Sequence, residues 1–353
     1  MRAAAQPMVL NGSHGEGGGA LFRTALSIAA LIQQAVRIHN IRGAMRKTGL
    51  QAEDLAFVHA LAASTRAEVI GDELGHNDLT FTPTRSPRPI QHRLDIGEYE
   101  KGGVPGNALI VLEALLPVLC RAGGYSKLVA HGETYNPNTL TFDAFERVSL
   151  AAHRRQGLVA FPSQVVAGFG YAARGEVGLE VEPSALHGIE WTTRGRLKDV
   201  QAVIAYAELQ PSIAERAANE AARLLGILKL DVEPEIVEVR SRTPGLHVTL
   251  IAEFDRGFGV GAATGQRGVK AENVVGHAFD GFAEWFRSDA TVDPFLADQL
   301  LLPAVLAGEP TSYTTSRVTQ RLITMSWVIK QFLPSHITVL GREGERGAIT
   351  IAR

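Results

Sequence analysis

Apolar residues alternate with polar ones in short stretches and recur every three or four residues in longer ones, which predicts mixed strands and helices. Up to Thr82 the pattern predicts strand, helix, strand, helix, strand, strand. The segments are Met8–Leu10, Ala20–Gln34, Val36–Ile41, Leu50–Ser64, Glu68–Ile70 and Asp78–Thr82. The first part of the chain is therefore predicted to have the order βαβαββ.

The same kind of order recurs twice further along the chain. The second copy comprises Arg93–Ile96, Asn107–Arg121, Lys127–His131, Thr141–Arg155, Val159–Pro162 and a strand near Val177–Glu182. The third comprises helices Ala271–Arg287 and Asp293–Ala307, a strand near Ser312–Thr315, helix Val318–Phe332, and strands Ile337–Leu340 and Ala348–Ile351. Such spacing is typical of an array of sheet-and-helix units.

The segment between the second and third copies has a pattern of its own. It carries helix Ser212–Leu225 between strands Asp199–Tyr206 and His247–Phe254. We therefore predict the α+β class, with three repeated βαβαββ units forming a large domain and a smaller α+β domain inserted into it. The predicted large domain covers residues 1–183 and 270–353, and the predicted insertion covers residues 184–269.

Composition narrows the class of protein. The 353 residues are 45% hydrophobic and 20% charged, which indicates a globular chain long enough for two domains. A formal charge of −2 argues against polyanion binding by bulk charge, so DNA is not an expected partner. No apolar run approaches the ~20 residues of a membrane span. The single cysteine, Cys120, rules out an internal disulfide and suits the reducing cytoplasm.

Residues 11–27, NGSHGEGGGALFRTALS, are the strongest candidate for a binding site. Five glycines lead into the first helix, so backbone N–H groups can approach an anion at a helix N-terminus. Glu16 lies within the loop and Arg23 lies early in the helix. The segment lacks the lysine of the GxxxxGK[ST] motif and fits only a loose GxGxxA pattern, so a plain strand-to-helix turn is an open alternative.

Four segments carry a resemblance to a known family. Residues 11–29, NGSHGEGGGALFRTALSIA, are similar to DGxxGEGGGQxLRxxLxLS, and residues 294–307, PFLADQLLLPAVLA, to EYLADQLxLPxALA. Residues 131–137, HGETYNP, are similar to GGTxNPxAPP, and residues 41–50, IRGAMRKTGL, to IRxGRxKPGL. These are signatures of the RNA 3′-terminal phosphate cyclases, which the chain resembles nearly from end to end.

The resemblance implies a fold and a reaction. The fold is a large domain of three βαβαββ units with a smaller inserted domain. In the reaction, ATP and a divalent metal, Mg²⁺ or Mn²⁺, adenylylate a histidine, and AMP passes to an RNA 3′-phosphate. The neighbouring 2′-hydroxyl then displaces AMP and leaves a 2′,3′-cyclic phosphate. The expected partners are therefore a nucleotide and an RNA 3′ end.

The glycine-loop motif and the IRxGR motif suggest phosphate-binding residues. Glu16 matches the family's loop glutamate, which contacts the metal or the phosphates, and Gly17 and Gly18 match glycines of the nucleotide-binding loop. Arg23 and Arg42 match phosphate-binding arginines, a role that suits the bidentate guanidinium. A carboxylate that favours the helix start and two solvated arginines are the structural alternatives.

The other two motifs suggest nucleotide-binding residues. Asp298 and Gln299 match a pair near the nucleotide, and Phe295 matches an aromatic residue that stacks on adenine. Asn136 and Pro137 match a turn at the base. Each has a structural alternative: a polar pair that faces water, a core phenylalanine and an ordinary turn.

The position of the family's nucleophile is the main departure. Counting back from residues 332–334, FLP, the place of the histidine is taken by Arg321. Arginine stays protonated in proteins and cannot act as a neutral nitrogen nucleophile. We therefore expect adenylylation to be impaired, and whether the chain is an enzyme stays open.

Two further positions depart from the pattern. Met45 stands in place of the second arginine of IRxGR, and Glu113 stands in place of a glutamine. A buried carboxylate beside ATP phosphates would repel them. His14 and His131 are the candidates for a replacement nucleophile, and both are also explained as surface or capping histidines.

Three functions remain open on the sequence. The first is a cyclase homologue that binds a nucleotide and an RNA end and retains some activity. The second is a non-catalytic homologue that binds RNA or a partner, with Arg321 as another phosphate-binding cation. The third is a small-molecule enzyme like the enolpyruvyl transferases of the broader superfamily, which the mid-chain insertion and residues 297–299 disfavour.

Overall fold

The α+β class predicted from the pattern is confirmed. A computed structural model of the chain describes residues 6–99, 106–171 and 173–352, and these residues form helices and four-stranded sheets. Residues 1–5, 100–105, 172 and 353 of the predicted large domain lie outside the described part. Within the described part, no helix combines the length and the apolar character needed to cross a membrane.

The first sheet contains the glycine-loop segment. Its elements are β1 (Met8–Asn11), α1 (Gly19–Ile32), β2 (Val36–His39), α2 (Ala52–Thr65), β3 (Glu68–Ile70) and β4 (Asp78–Thr82). The strand order is β1-β2-β4-β3, with β1 and β2 parallel and the other pairs antiparallel. All six elements begin and end within about two residues of their predicted bounds. The glycine loop thus runs from the end of β1 to the start of α1.

The second sheet has the same arrangement of strands. Its elements are β5 (Gln91–Asp95), α3 (Ala108–Leu119), β6 (Ser126–Gly132), α4 (Phe142–Ala144), α5 (Leu150–Arg155), β7 (Ala160–Val166) and β8 (Gly175–Val181). The order is β5-β6-β8-β7, again with only the first pair parallel. A π-helical turn at Phe145–Ser149 joins α4 to α5, where the pattern predicts one regular helix. Asn107 caps α3, because its side chain accepts hydrogen bonds from the N–H groups of Leu109 and Ile110.

After the two-residue strand β9 (Glu190–Trp191), the chain forms a sheet in the middle of the sequence. Its elements are β10 (Leu197–Ala207), α6 (Pro211–Ile227), β11 (Glu235–Glu238), β12 (Gly245–Phe254), β13 (Gly257–Thr264) and α7 (Ala271–Arg287). The order is β11-β10-β12-β13, and α6 and α7 pack on it. Since α7 begins beyond the predicted domain boundary at residue 270 yet packs on this sheet, that boundary stays a prediction.

The pattern does not predict strand β13, and its glycines explain why. Glycine lowers strand propensity, so the segment GFGVGAAT reads as a loop. In the structure the two inner glycines make room for α7. A Cβ on Gly259 would lie 2.2 Å from the Trp285 ring, and one on Gly261 would lie 2.1 Å from the Ala278 carbonyl. Close packing against α7 therefore stabilises this strand, although its glycines have a low strand propensity.

The last sheet joins β9 to the C-terminal part of the chain. Its further elements are α8 (Leu296–Gln299), α9 (Leu301–Ala307), β14 (Thr311–Thr315), α10 (Gln320–Phe332), β15 (His336–Leu340) and β16 (Gly347–Ala352). The order is β9-β14-β16-β15, with β9 and β14 parallel. Helix α10 packs against α1, and this contact brings the end of the chain to the glycine loop. The predicted repeat and domain organisation stays a prediction.

Candidate functional site

A cavity of about 400 Å³ lies where α1, α3, α10, strand β13 and the loop before α8 meet. Residues from all four sheets, or from the helices that cover them, form its wall. Seven of the predicted site residues line it: Arg23, Asn136, Pro137, Phe295, Asp298, Gln299 and Arg321. Glu16, Arg42, Gly17 and Gly18 are not among the lining residues. The structure therefore brings distant segments of the sequence to one place, as the motifs predict.

The glycine loop is tied to α10. Gly15 and Gly17 have φ angles of 59° and 63°, in the left-handed region that favours glycine. The N–H of Glu16 donates a hydrogen bond to Thr324 Oγ1 at 2.9 Å. A Cβ on Gly15 would lie 2.2 Å from the same oxygen, so the loop approaches the helix closely only because this residue is glycine. Glu16 Oε2 is buried and has no hydrogen-bond partner in the part of the chain that the structure describes.

Arg23 and Arg42 share one buried carboxylate. Arg23 Nη1 donates to Asp54 Oδ1 at 2.7 Å, and Arg42 Nε donates to Asp54 Oδ2 at 2.8 Å. Asp54 is completely buried, and each arginine side chain is only 12% exposed. The alternative of two solvated arginines is therefore wrong. The sequence motifs give no sign of Asp54, which holds both guanidinium groups in place.

Gly19 makes room for this pair of cations. A Cβ at this position would lie 2.6 Å from Arg23 Nη1 and 2.6 Å from Arg42 Nη2. Burial lowers the pKa of Arg23, although Asp54 acts against this effect. Burial also acts to lower the pKa of Arg42, but Asp54 and Glu53 outweigh it and the pKa is raised. Two cations thus lie side by side at the N-terminus of α1, where the helix dipole also favours an anion.

Arg321 points into the same cavity. Its Nε donates to Asp298 Oδ2 at 2.8 Å, and its guanidinium lies 5.6 Å from the centre of the Phe295 ring. Asp298 above all, with Glu16, raises the pKa of Arg321. Burial raises the pKa of Asp298 to about 6 and outweighs the opposing charge of Arg321. Phe295 is 51% exposed, which rules out the alternative of a core phenylalanine.

Glu113 belongs to a hydrogen-bonded chain that the sequence does not predict. Its Oε1 lies 2.7 Å from His153 Nε2, and His153 Nδ1 lies 3.3 Å from Gln156 Oε1. Gln156 in turn donates to the carbonyl of Leu300 at 3.1 Å. Burial acts to lower the pKa of His153, but Glu113 raises it more, so the net shift is upward. His153 therefore compensates the Glu113 carboxylate, which the sequence presents only as a charge that repels phosphates.

Polar atoms without a partner collect in the cavity wall. Six lining residues have a buried side-chain atom that forms no hydrogen bond with any described residue: Glu113 Oε2, Asn136 Oδ1, Thr141 Oγ1, His247 Nε2, Asp293 Oδ2 and Ser316 Oγ. Burial raises the pKa of Asp293 to about 6 and lowers that of His247 to about 3. Because buried polar atoms are normally paired, the wall is suited to a ligand with several hydrogen-bond donors.

The remaining predicted residues have separate environments. Gln299 accepts a hydrogen bond from Ser149 Oγ at 2.7 Å and faces the cavity. His14 is exposed and stacks on Trp327, and His131 lies outside the cavity wall, 3.2 Å from Glu176 Oε2. Met45 is 39% exposed. Neither candidate replacement histidine thus faces the cavity, while His247, which the sequence analysis does not single out, lines it.

A metal would need ligands from outside the protein. Across the described ranges, no group of three or more histidine, cysteine, aspartate or glutamate side chains could hold an ion. Glu16 Oε2 is nevertheless buried and unpaired beside the arginine pair. A hard cation such as Mg²⁺ often takes one or two protein carboxylates and completes its shell with phosphate oxygens and water. The site therefore fits a metal that arrives with a phosphate ligand.

Comparison with known proteins gives one consistent family. The family model described as RNA 3′-terminal phosphate cyclase matches residues 14–339. A Methylococcus capsulatus protein named RNA 3′-terminal phosphate cyclase is 36% identical over 97% of this chain and 95% of its own. Proteins of the same name from a Nostoc species and from Salmonella agona are 35% and 33% identical, each over 94% of this chain.

Proposed function

The chain belongs to the RNA 3′-terminal phosphate cyclase family, and on that premise we propose that its cavity binds a nucleotide and the 3′-phosphate end of an RNA without forming a covalent adenylate. The observation that carries this proposal is the position of Arg321. The motif comparison predicts that it takes the place of the family's nucleophilic histidine, and it lines the cavity, bound to Asp298 at 2.8 Å. On this proposal the site keeps cations for phosphates and has no histidine at the position of the nucleophile.

The arginine pair and the glycine loop would hold phosphates. Arg23 and Arg42 are fixed by Asp54, and Arg42 Nη2 also lies 3.5 Å from Glu53 Oε1. Their remaining N–H groups would bind an anion at the N-terminus of α1. Preorganised guanidinium groups bind phosphate well because little side-chain entropy is lost on binding. Glu16 with its unpaired oxygen would be the protein ligand of Mg²⁺ or Mn²⁺. The bound ion would neutralise phosphate charge.

The opposite wall would hold the nucleoside. The Phe295 ring is half exposed beside Arg321, and an exposed aromatic face is suited to stacking on a base. Pro137 and Gln299 line the same cavity. The unpaired oxygens of Asn136 and Glu113 could accept hydrogen bonds from hydroxyl or amino groups. The hydroxyl and amino groups of a nucleotide, which donate hydrogen bonds, thus match the unpaired acceptor oxygens of the cavity wall.

Charge balance supports a role for the metal. Arg23, Arg42 and Arg321 contribute three positive charges, and Asp54, Glu53, Asp298 and Glu16 contribute four negative ones when ionised. A triphosphate therefore meets a site with no net positive charge. A divalent ion would supply the missing charge, as it does in other phosphoryl-binding sites.

Arg321 blocks the covalent step for a chemical reason. A nucleophile needs a free electron pair, and the guanidinium has none to offer because it stays protonated. Asp298 raises the pKa of Arg321 further. In place of attacking the α-phosphate, Arg321 would bind it.

A cytoplasmic location belongs to the proposal, since Cys120 is the one cysteine and no internal disulfide can form.

The direct test is labelling with ATP that carries a radioactive α-phosphate, in Mg²⁺ or Mn²⁺. We expect saturable ATP binding by calorimetry and no label on the protein after denaturation. Arg23→Ala should weaken ATP binding at least tenfold, and His336→Ala, an exposed change on β15, should leave it unaltered. Stable label on the wild-type chain would contradict the proposal.

A second candidate function, an active cyclase, is favoured by His247. Its ring is fully buried in the cavity wall, Nδ1 lies 2.9 Å from Thr264 Oγ1, and Nε2 has no partner. Burial lowers its pKa to about 3, so the imidazole is neutral at physiological pH and its Nε2 can hold a lone pair. If the wild type is labelled, His247→Ala should abolish the label, whereas His14→Ala and His131→Ala should retain it.

A further inference from the structure

We propose that His14, backed by Trp327, is a stacking platform for a base at the 3′ end of a single-stranded RNA. The inference rests on the proposed function, because it places the base next to the site that would hold the terminal phosphate. It assigns a role to an aromatic pair outside the cavity wall.

The two rings form a stacked pair at the surface. Their centroids are 3.7 Å apart and their planes differ by 20°. Trp327 is partly buried, packed against the core on which α1 lies, and His14 is exposed. One ring of the pair is therefore anchored, while the other adds a flat polar surface that solvent can reach. A nucleobase can stack on such a surface as a further aromatic layer, because every nucleobase has a π-face.

The platform is joined to the phosphate site by short covalent and hydrogen-bonded links. His14 is two residues from Glu16, whose N–H is bound to Thr324 Oγ1 at 2.9 Å. Trp327 is six residues after Arg321 on α10, which is about 9 Å along a helix axis. Arg321, Thr324 and Trp327 follow one another at intervals of three, so they lie along neighbouring positions of one helix side. A strand that leaves the cavity along α10 would pass the platform.

The loop that follows β2 adds positive charge. This loop is closed by the hydrogen bond from the Gly49 N–H to the Ile41 carbonyl at 2.8 Å. It touches the glycine loop, since a Cβ on Gly43 would lie 2.9 Å from Ser13 Cβ. Arg46 and Lys47 are exposed on it.

Helix α10 contributes the exposed Lys330, one turn beyond Trp327. Outside the cavity, the residues of the glycine loop, residues 41–49 and α10 carry these basic side chains, and Glu16 is their one acidic residue. Exposed lysine and arginine beside an aromatic surface is the combination that single-stranded nucleic acids recognise: cations follow the backbone while rings stack on bases. The positive charge favours RNA over an uncharged or basic partner, and the exposed ring of the stacked pair favours it over a partner that offers negative charge without bases.

The base and the phosphate would thus be recognised separately. The Arg23 and Arg42 side chains would bind the terminal phosphate. The platform would stack on a base whatever the identity of that base. We expect affinity for RNA ends of any sequence, and a loss when the terminal bases are absent.

The test is binding of a fluorescein-labelled octanucleotide RNA with a 3′-phosphate, measured by anisotropy at one fixed salt concentration. We expect His14→Ala to weaken binding about tenfold, since base stacking on an aromatic side chain contributes roughly 1–3 kcal/mol. His14→Phe, which keeps a ring and removes the ring nitrogens, should bind within about twofold of the wild type. An RNA whose two terminal nucleotides are abasic should bind the wild type and His14→Ala equally.

Intrinsic fluorescence gives a second, local readout. Trp191 and Trp285 are buried, so Trp327 is the tryptophan that a surface ligand can reach. RNA should change the emission of the wild type, and Trp327→Phe should remove that change while retaining RNA affinity. His336→Ala is the matched control for loss of an exposed histidine.

Two outcomes would overturn the inference. One is equal RNA affinity in His14→Ala, His14→Phe and the wild type; the other is the absence of RNA binding altogether. Parallel calorimetry with ATP separates this result from failure of the proposed function. If ATP binds and Arg23→Ala weakens it, the nucleotide site stands and only the platform is wrong.

Discussion

Arg321 Nε and Asp298 Oδ2 lie 2.8 Å apart in a cavity wall, 23 residues from each other in the sequence. The pair explains how an arginine can occupy the position predicted for the nucleophile. The Asp298 side chain is only 7% exposed, and Arg321, 34% exposed, supplies the opposite charge that a buried carboxylate needs. The Phe295 ring, 5.6 Å away, contributes further through its π face. The ion pair in the cavity wall can therefore still contact phosphate.

Returning the histidine should return the covalent step. We expect Arg321→His to incorporate at least ten times more label from α-labelled ATP than the wild type, because a neutral imidazole beside Asp298 can act as a nucleophile. Arg321→Ala, which removes the cation without adding a nucleophile, should stay unlabelled. If Arg321→His binds ATP and is not labelled, Glu113 or Met45 limits the reaction as well.

Removing Asp54 should destabilise the fold. Asp54→Ala leaves Arg23 and Arg42 without their shared carboxylate, and it also removes a capping interaction of α2. Loss of one partner of a buried ion pair costs about 3–5 kcal/mol, which urea denaturation would measure. Asp78→Ala breaks the exposed pair with Arg37 and should cost far less. Similar losses in both variants would argue against a special role for Asp54.

Stability should fall at alkaline pH because of His153. Its pKa is raised in the folded state, so its pairing with Glu113 contributes stability that is complete below the unfolded pKa of about 6.5. That contribution is lost as the pH rises through the folded-state pKa. Urea denaturation between pH 6 and 9 should show the decline in the wild type and lack it in Glu113→Gln. Glu176→Gln, which alters the more exposed pair with His131, should keep the wild-type slope.

Gly19→Ala should weaken anion binding with little effect on the fold. The added methyl group would meet Arg23 Nη1 and Arg42 Nη2 at 2.6 Å, and these side-chain ends can move away. We expect ATP affinity to drop at least fivefold in calorimetry. Gly276→Ala on α7 is the matched control, because its Cβ would meet no atom within 4 Å. If Gly19→Ala binds ATP as tightly as the wild type, the proposal that the arginine pair binds phosphate is wrong.

Prediction from the sequence succeeded where the signal is local. The strand β1, the glycine loop and the helix α1 follow from apolar spacing and from glycine's conformational freedom, and the structure places them within two residues of their predicted bounds. It failed where packing overrides local preference. Strand β13 was missed because its glycines serve α7, and the helix after Thr141 contains a π-helical turn that no pattern indicates.

The candidate site divides in the same way. Motifs alone placed Arg23, Asp298, Phe295 and Arg321 in one site, and the structure brings them to one cavity. Their partners could not be read from the sequence. Asp54 lies 31 residues from Arg23, and His153 lies 40 residues from Glu113.

By itself, the sequence determined the α+β class and the family, because each follows from short stretches of neighbouring residues. That Arg321 takes the place of the family's histidine stays a prediction. Only the tertiary structure decided that Asp54 clamps two arginines, that His153 compensates Glu113, and that His14 stacks on Trp327. These contacts join segments whose separation along the chain carries no periodic signal. They exist because sheets and helices pack in one arrangement, and because an unpaired buried charge is costly, which favours the pairing of buried charged groups.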